Sequence, residues 1–174
     1  TDVAIASCTY VIRARNATEE DRATAYNNRG LRYISANDQA RALDDFSHAV
    51  RTLPTSVEGY VNRAMVYVAI REYARAVVDY SEVISIAPDN AVGYNGRCWT
   101  RVLWNAALDL ARRDCDAAVL LDPHYAAARD SRGLLNLRES RFQEAHDDFD
   151  AALAGAPDRA LYLYGRGVAS IRLG

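Results

Sequence analysis

The sequence predicts an all-α fold, an α-solenoid of repeated helix–turn–helix units. Three observations carry the prediction. Prolines Pro54, Pro88, Pro123 and Pro157 recur at intervals of 34, 35 and 34 residues. Arginines Arg29, Arg63, Arg97, Arg132 and Arg166 recur in the same phase, each followed by a small residue (Gly30, Ala64, Cys98, Gly133, Gly167). Inside each period the apolar residues fall three, four and seven apart, which marks one face of a helix. A fixed period of this length is the signature of a solenoid, in which each unit buries its apolar face only against its neighbours.

The elements follow in order. Residues 2–15 read as a lone second helix, because Ala4, Cys8 and Val11 repeat the phase of Ala42, Phe46 and Ala49. Extra residues in Asn16–Arg22 form a link, so residues 1–22 are an N-terminal capping helix and its connection. Four full repeats are expected at 23–56, 57–90, 91–125 and 126–159, and residues 160–174 read as the first helix of a fifth, incomplete repeat. Turns fall near Asn37, Arg71, Asn105 and Ser140, and the proline ends each second helix because it cannot continue one. The third repeat carries one extra residue, placed in its turn near Asn105–Asp109. The small row lets the two helices of a repeat approach closely, and Phe46, Tyr80 and Phe149 fill the space above it. These are core positions.

This pattern resembles the tetratricopeptide repeat (TPR) family. The residues that carry the likeness are Tyr60, Ala64, Tyr67, Ala76, Tyr80 and Pro88, with equivalents in the other repeats. The Arg–Gly style and the stretches around Cys8 and Cys115 look most like α-proteobacterial members carrying signal peptides. The resemblance implies a right-handed solenoid and a protein-interaction module or scaffold that binds a peptide or helix on the concave surface of its first helices. By phase that surface holds Asn27, Leu31 and Ile34; Val61, Met65 and Val68; Asn95, Trp99 and Val102; Asp130, Leu134 and Leu137; and Val168. The stripe is apolar, with Met65 and Trp99 near its middle. Chaperone-tail binders of the family use a basic clamp there; here the matching places hold Asn, Val and Asp, with Asn28 and Asn62 the partial matches. A carboxylate-ended chaperone tail is therefore not expected. An apolar stripe calls for cover: a partner's segment, the chain's own tail, or a second copy in a homo-oligomer or larger assembly. Curvature that buries these residues against one another is the remaining reading.

Two further features are structural. Asp45, Asp79, Asp114 and Asp148 each lie 16 or 17 residues after Arg29, Arg63, Arg97 and Arg132. Two helices folded back at a midpoint turn can bring them together in an Arg–Asp ladder, with Arg166 continuing the arginine row; as exposed pairs they stabilise by under ~1 kcal/mol each. In the third repeat both the small slot and the aromatic slot change together, to Cys98 and Cys115. That paired change places two sulfurs side by side. In an oxidising compartment they form a disulfide, closing a loop of about 17 residues for roughly 3 kcal/mol in the chain-entropy model. In the cytosol they stay small buried hydrophobes.

Composition removes other classes. All 21 cations are arginine against 23 carboxylates, a net charge of −2, so no basic field speaks for nucleic acid. No apolar run is long enough for a membrane span. His48, His124 and His146 fall in different phases of the repeat and read as surface or rim. No nucleophile elbow, phosphate loop, zinc spacing or dinucleotide turn is present. The chain reads as no enzyme, with no cofactor and no metal. A start at Thr1 and a stop inside an unfinished repeat fit a processed or trimmed chain. With the cysteine pair they favour a periplasmic or secreted protein, the cytoplasm staying open.

Overall fold

The computed structural model describes residues 2–174; Thr1, which opens the expected N-terminal cap, lies outside them. Every regular element among the described residues is an α-helix: α1 (Asp2–Arg13), α2 (Glu19–Ser35), α3 (Gln39–Thr52), α4 (Val57–Ala69), α5 (Tyr73–Ile86), α6 (Ala91–Trp104), α7 (Leu108–Leu121), α8 (Ala126–Arg138), α9 (Phe142–Gly155) and α10 (Ala160–Leu173). The chain divides into two compact units, Thr1–Ala87 and Pro88–Gly174. In the N-terminal unit α1 packs on α2, and the hairpins α2–α3 and α4–α5 stack through α3 on α4 and α2 on α4. In the C-terminal unit α6–α7 and α8–α9 stack in the same way, and α10 lies against α9 and α8.

Local sequence sets the helix ends. Thr18 and Asp21 form a capping box: the Asp21 N–H donates to Thr18 Oγ1 at 3.0 Å, and the Thr18 N–H donates to Asp21 Oδ2 at 2.9 Å. Glu19, Glu20 and Asp21 add negative charge in the first turn, where the helix dipole favours it. Helix α2 therefore starts at Glu19, and part of the stretch expected to be a link is its first turn. The four hairpin turns each place a non-glycine residue in the left-handed region: Asn37 (φ 58°), Arg71 (64°), Asn105 (56°) and Ser140 (60°). In the third turn Ala107 (49°) is left-handed as well. That second reversal is how the extra residue of the third repeat is absorbed without shifting the phase of α7.

Packing inside each hairpin depends on the row of small residues. A Cβ on Gly30 would sit 2.6 Å from the Phe46 ring, so the buried ring would have to move to admit one. In the C-terminal unit Phe149 is wedged between two glycines, since a Cβ on Gly133 would meet its ring at 3.0 Å and one on Gly165 at 2.5 Å. Phe46 and Phe149 are fully buried. In the hairpin α6–α7 the same place is taken by Cys98 and Cys115, both fully buried with Val102, Ala111 and Leu135. Their Cα atoms are 5.3 Å apart, within the range that a disulfide spans.

Beside this row lies a row of buried charge. Arg29 donates Nε and Nη2 to the two oxygens of Asp45 at 2.8 and 2.7 Å. Arg63 grips Asp79 at 2.8 and 2.7 Å, Arg97 grips Asp114 at 2.9 and 2.7 Å, and Arg132 grips Asp148 at 2.8 and 2.7 Å. Arg101 adds a second guanidinium to Asp114; Arg129 and Asn136 add donors to Asp148. The expectation of exposed, weak pairs needs correction. The four aspartates are 2–4% exposed, so each carboxylate depends on its arginine. Hydrogen bonding to Asp79 raises the Arg63 pKa, so that guanidinium keeps its charge across all ordinary pH. Arg166, the last of the arginine row, differs: it pairs with Asp150 at 2.8 Å, and both are about half exposed.

Removing one member of such a pair leaves a buried charge alone, at a typical cost of about 3–5 kcal/mol, whereas replacing both with apolar groups is often near neutral. Asp79→Asn is therefore expected to lower unfolding stability by about 3 kcal/mol, and Arg63→Met with Asp79→Leu to recover most of it. Denaturant titration of the single and double variants gives the coupling energy, and a coupling near zero is the contrary result.

Candidate functional site

The first helix of each hairpin keeps one face free of its partner helix, and the residues expected on that face can be followed within each unit. In the N-terminal unit Leu31 and Ile34 of α2 and Met65 of α4 are exposed at 41%, 40% and 58%. They border a groove of about 280 Å³ lined by Leu31, Ile34, Asn37, Gln39, Phe46, Asn62, Met65, Val66 and Ala69. No ionisable side chain lines it. Phe46 and Val66 are buried and form its floor. Asn62 Nδ2 donates to Asn27 Oδ1 at 2.8 Å, tying α4 to α2 beside the groove. Val61 is half-buried, and Val68 packs against the cluster of Ala64, Ala76 and Tyr80.

In the C-terminal unit the expected stripe divides. Val102 is 2% exposed and belongs to the core around Cys98 and Cys115. It is therefore no surface residue: the two sulfurs are smaller than an aromatic ring, and Val102 fills part of the space. Leu134 and Leu137 are partly buried against Ala145, Phe149 and Ala169. Asn95 and Trp99 on α6 and Asp130 on α8 are half-buried, as is Val168 on α10. Two residues of this face were missed by the sequence reading. Leu161 and Tyr164 on α10 are 65% and 73% exposed. Tyr164 lies one period after Asp130, so the phase alone could have found it.

Asp130 stands apart electrostatically. Burial pushes its carboxyl up to about 6, with Arg159 pulling weakly the other way. Among the described residues no hydrogen bond or ion pair holds it, unlike Asp114 and Asp148 in the same unit. Nearby, burial also raises the Tyr162 hydroxyl, with the Asp130 charge adding to the effect.

A second cavity, about 300 Å³, lies among α7, α8 and α9, lined by Arg112, Asp116, Arg129, Arg132, Asn136, Arg141, Glu144, Asp147 and Asp148. Its charges are largely spent on one another: Arg132 also reaches Asp116 at 3.1 Å, and Arg112 bonds Asn136 and Glu139. It holds α7, α8 and α9 together. His48 stacks on Tyr26 at 4.9 Å between ring centres. Among the described residues no group of three or more His, Cys, Asp and Glu side chains is arranged to hold a metal ion, and no helix is long and apolar enough to cross a membrane.

The Asp130 pKa has a defined consequence for stability. Its folded value, about 6, exceeds the ordinary 3.8, so the native state holds the proton more tightly than the unfolded state. Its contribution to stability therefore falls as pH rises from about 3.8 to about 6 and stays lost above that. Asp130→Asn is expected to raise the thermal midpoint at pH 7 by ~2 °C and to give no gain below pH ~3.8. Thermal melts at the two pH values check this.

Residues 57–90 match the family model of the tetratricopeptide repeat. No curated protein matches the chain. Among solved structures, a chain of the APC/C hetero-tetramer Cut9–Hcn1 is similar with a TM-score of 0.86 at 17% identity, over 99% of this chain and 33% of that one. YrrB, described as a TPR protein with an unusual peptide-binding site, is similar with a TM-score of 0.71 at 23% identity, over 95% of this chain and 82% of that one. A tetratricopeptide repeat protein from Parabacteroides merdae gives 0.80 at 18% identity, over 98% and 66%. The chain thus spans a third of the length of the first of these. At such identities the likeness is one of fold: this chain is an all-α helical-repeat solenoid, and the tetratricopeptide repeat model matches it in residues 57–90.

Proposed function

We propose that this chain is a non-catalytic protein-interaction module that docks a partner's peptide or helix on the open face of its first helices. One observation carries the reading. Leu31, Ile34 and Met65 border an uncharged groove whose floor is the buried Phe46. Exposed apolar side chains around a concave, uncharged site favour an apolar anchor of a partner, because burying them removes that surface from water. The absence of any charge in the lining argues against an acidic tail as the anchor. Two neighbours support the reading by their descriptions: YrrB has a peptide-binding site, and the Cut9–Hcn1 chain belongs to a hetero-tetramer.

Met65→Asp is expected to abolish partner binding and to leave the helical content and thermal midpoint unchanged, since Met65 is among the more exposed apolar residues. Affinity capture of the wild type and the variant side by side, with circular dichroism on both, gives the answer. Retained capture by a folded Met65→Asp protein would remove the groove from the account. Mass that rises with concentration in light scattering, and falls in the variant, would make a second copy the occupant.

We propose further that the protein works in an oxidising compartment, the periplasm or outside the cell, where Cys98 and Cys115 are joined. Their burial and their 5.3 Å Cα separation support the bond. Thiol counting on denatured, unreduced protein is expected to give one free thiol, that of Cys8. Three free thiols would refute the bond.

A further inference from the structure

We infer that the first-helix face of the C-terminal unit accepts a basic side chain, arginine or lysine, of a protein partner, with the Asp130 carboxylate as its receptor. The inference rests on the reading of this face as a docking surface and names the chemistry it selects. The two other buried carboxylates of the unit, Asp114 and Asp148, are each held by at least two arginines. Asp130 is half-buried on α8, and among the described residues it has no hydrogen bond and no ion pair. The cation that acts on it from within the chain is Arg159, at the start of α10. That guanidinium lies 5.5 Å from the centre of the Tyr162 ring and makes no ion pair with the carboxylate.

A second acceptor is also unmatched. Asn95 occupies the equivalent repeat position on α6, the first helix packed beside α8, and its Oδ1 is buried without a donor. In the N-terminal unit the corresponding places are settled: Asn27 Oδ1 accepts from Asn62, and Val61 stands where Asp130 stands. At this repeat position the C-terminal unit therefore holds two oxygens, the Asp130 carboxylate and Asn95 Oδ1, to which no side chain among the described residues donates. A buried acceptor without a donor is costly, and a carboxylate more so. The complement is a group that is positive and rich in donors; a guanidinium offers five N–H groups and an ammonium three. An acidic segment is repelled by the same carboxylate. One helical turn beyond Asn95 and Asp130 come Trp99 and Leu134, and Tyr164 is exposed on α10. Aromatic faces attract cations, and apolar side chains take apolar neighbours. The fitting partner is a segment with one basic residue flanked by apolar ones.

The probe is a blocked pentapeptide, acetyl-Ala-Leu-Arg-Leu-Ala-amide, with the glutamine peptide acetyl-Ala-Leu-Gln-Leu-Ala-amide as its control. Each is titrated at pH 7.5 into the isotopically labelled full chain while the NMR signals of Trp99, Leu134 and Tyr164 are followed. The arginine peptide is expected to bind at least about tenfold more tightly than the glutamine peptide. Asp130→Asn is expected to remove that preference and to leave the fold intact, with the thermal midpoint raised as above. Arg159→Gln, which removes the competing internal charge, is expected to preserve or strengthen the preference. Equal binding of both peptides with shifts at Trp99 would overturn the basic side chain and leave the docking surface standing. A preference that survives Asp130→Asn, or is lost in Arg159→Gln, would overturn Asp130 as the receptor. No binding of either peptide at millimolar concentration would overturn the inference, and the groove of the N-terminal unit would still be judged by its own Met65 variant.

Discussion

The close approach of the two helices in each hairpin is the constraint on which the rest depends. A side chain on the first helix must be small wherever the second helix carries a large one. A Cβ on Gly30 or Gly165 would press on the Phe46 or Phe149 ring at under 3 Å, and one on Gly133 would force the Phe149 ring to shift. Because the helices meet at one fixed depth, the arginine beside the small residue and the aspartate beside the aromatic residue are brought within bonding distance in every hairpin. The charge ladder is a consequence of the knob-and-gap packing, one residue out of phase with it. The hairpin α6–α7 keeps the ladder while exchanging the knob and gap for two sulfurs, so the spacing of the helices survives a change in what fills the interface.

Burial decides what the charges do. An Arg–Asp pair on a surface contributes little, but here the carboxylates have almost no contact with water and their arginines are roughly a fifth exposed. The pairs then select one register between the two helices of a hairpin, since a shift of either helix by one residue would strand a buried carboxylate. The arginine fork, bonding both oxygens at once, is suited to this task in a way that lysine is not. A protein whose cations are all arginine has that fork at each position of the row.

The first-helix faces follow from the same architecture, with the Asp130 carboxylate and Asn95 Oδ1 left without donors among the described residues. The N-terminal unit presents an uncharged apolar groove whose neighbouring amides are bonded to each other. The C-terminal unit holds a half-buried carboxylate that lowers stability at neutral pH. Its cost is offset only where a cation supplies the missing charge.

The sequence by itself determined the helices, their turns, the period and the pairing of rows. These depend on local spacing, and a 34-residue period repeated four times overrides the ambiguity of any single segment. The turn positions Asn37, Arg71, Asn105 and Ser140 were legible for that reason, and so was the pairing of Arg29, Arg63, Arg97 and Arg132 with an aspartate, though not that of Arg166 with Asp150. The start of α2 at Glu19 was readable in Thr18 and Asp21 but was hidden by the repeat phase, which places the extra turn outside the common unit. Tertiary structure alone decided depth. Whether Val102 is surface or core, whether the aspartates are exposed or buried, and whether Asp130 finds a partner all turn on how far the helices close on one another. That distance is set by side chains from neighbouring repeats, which a reading of one helix at a time does not contain.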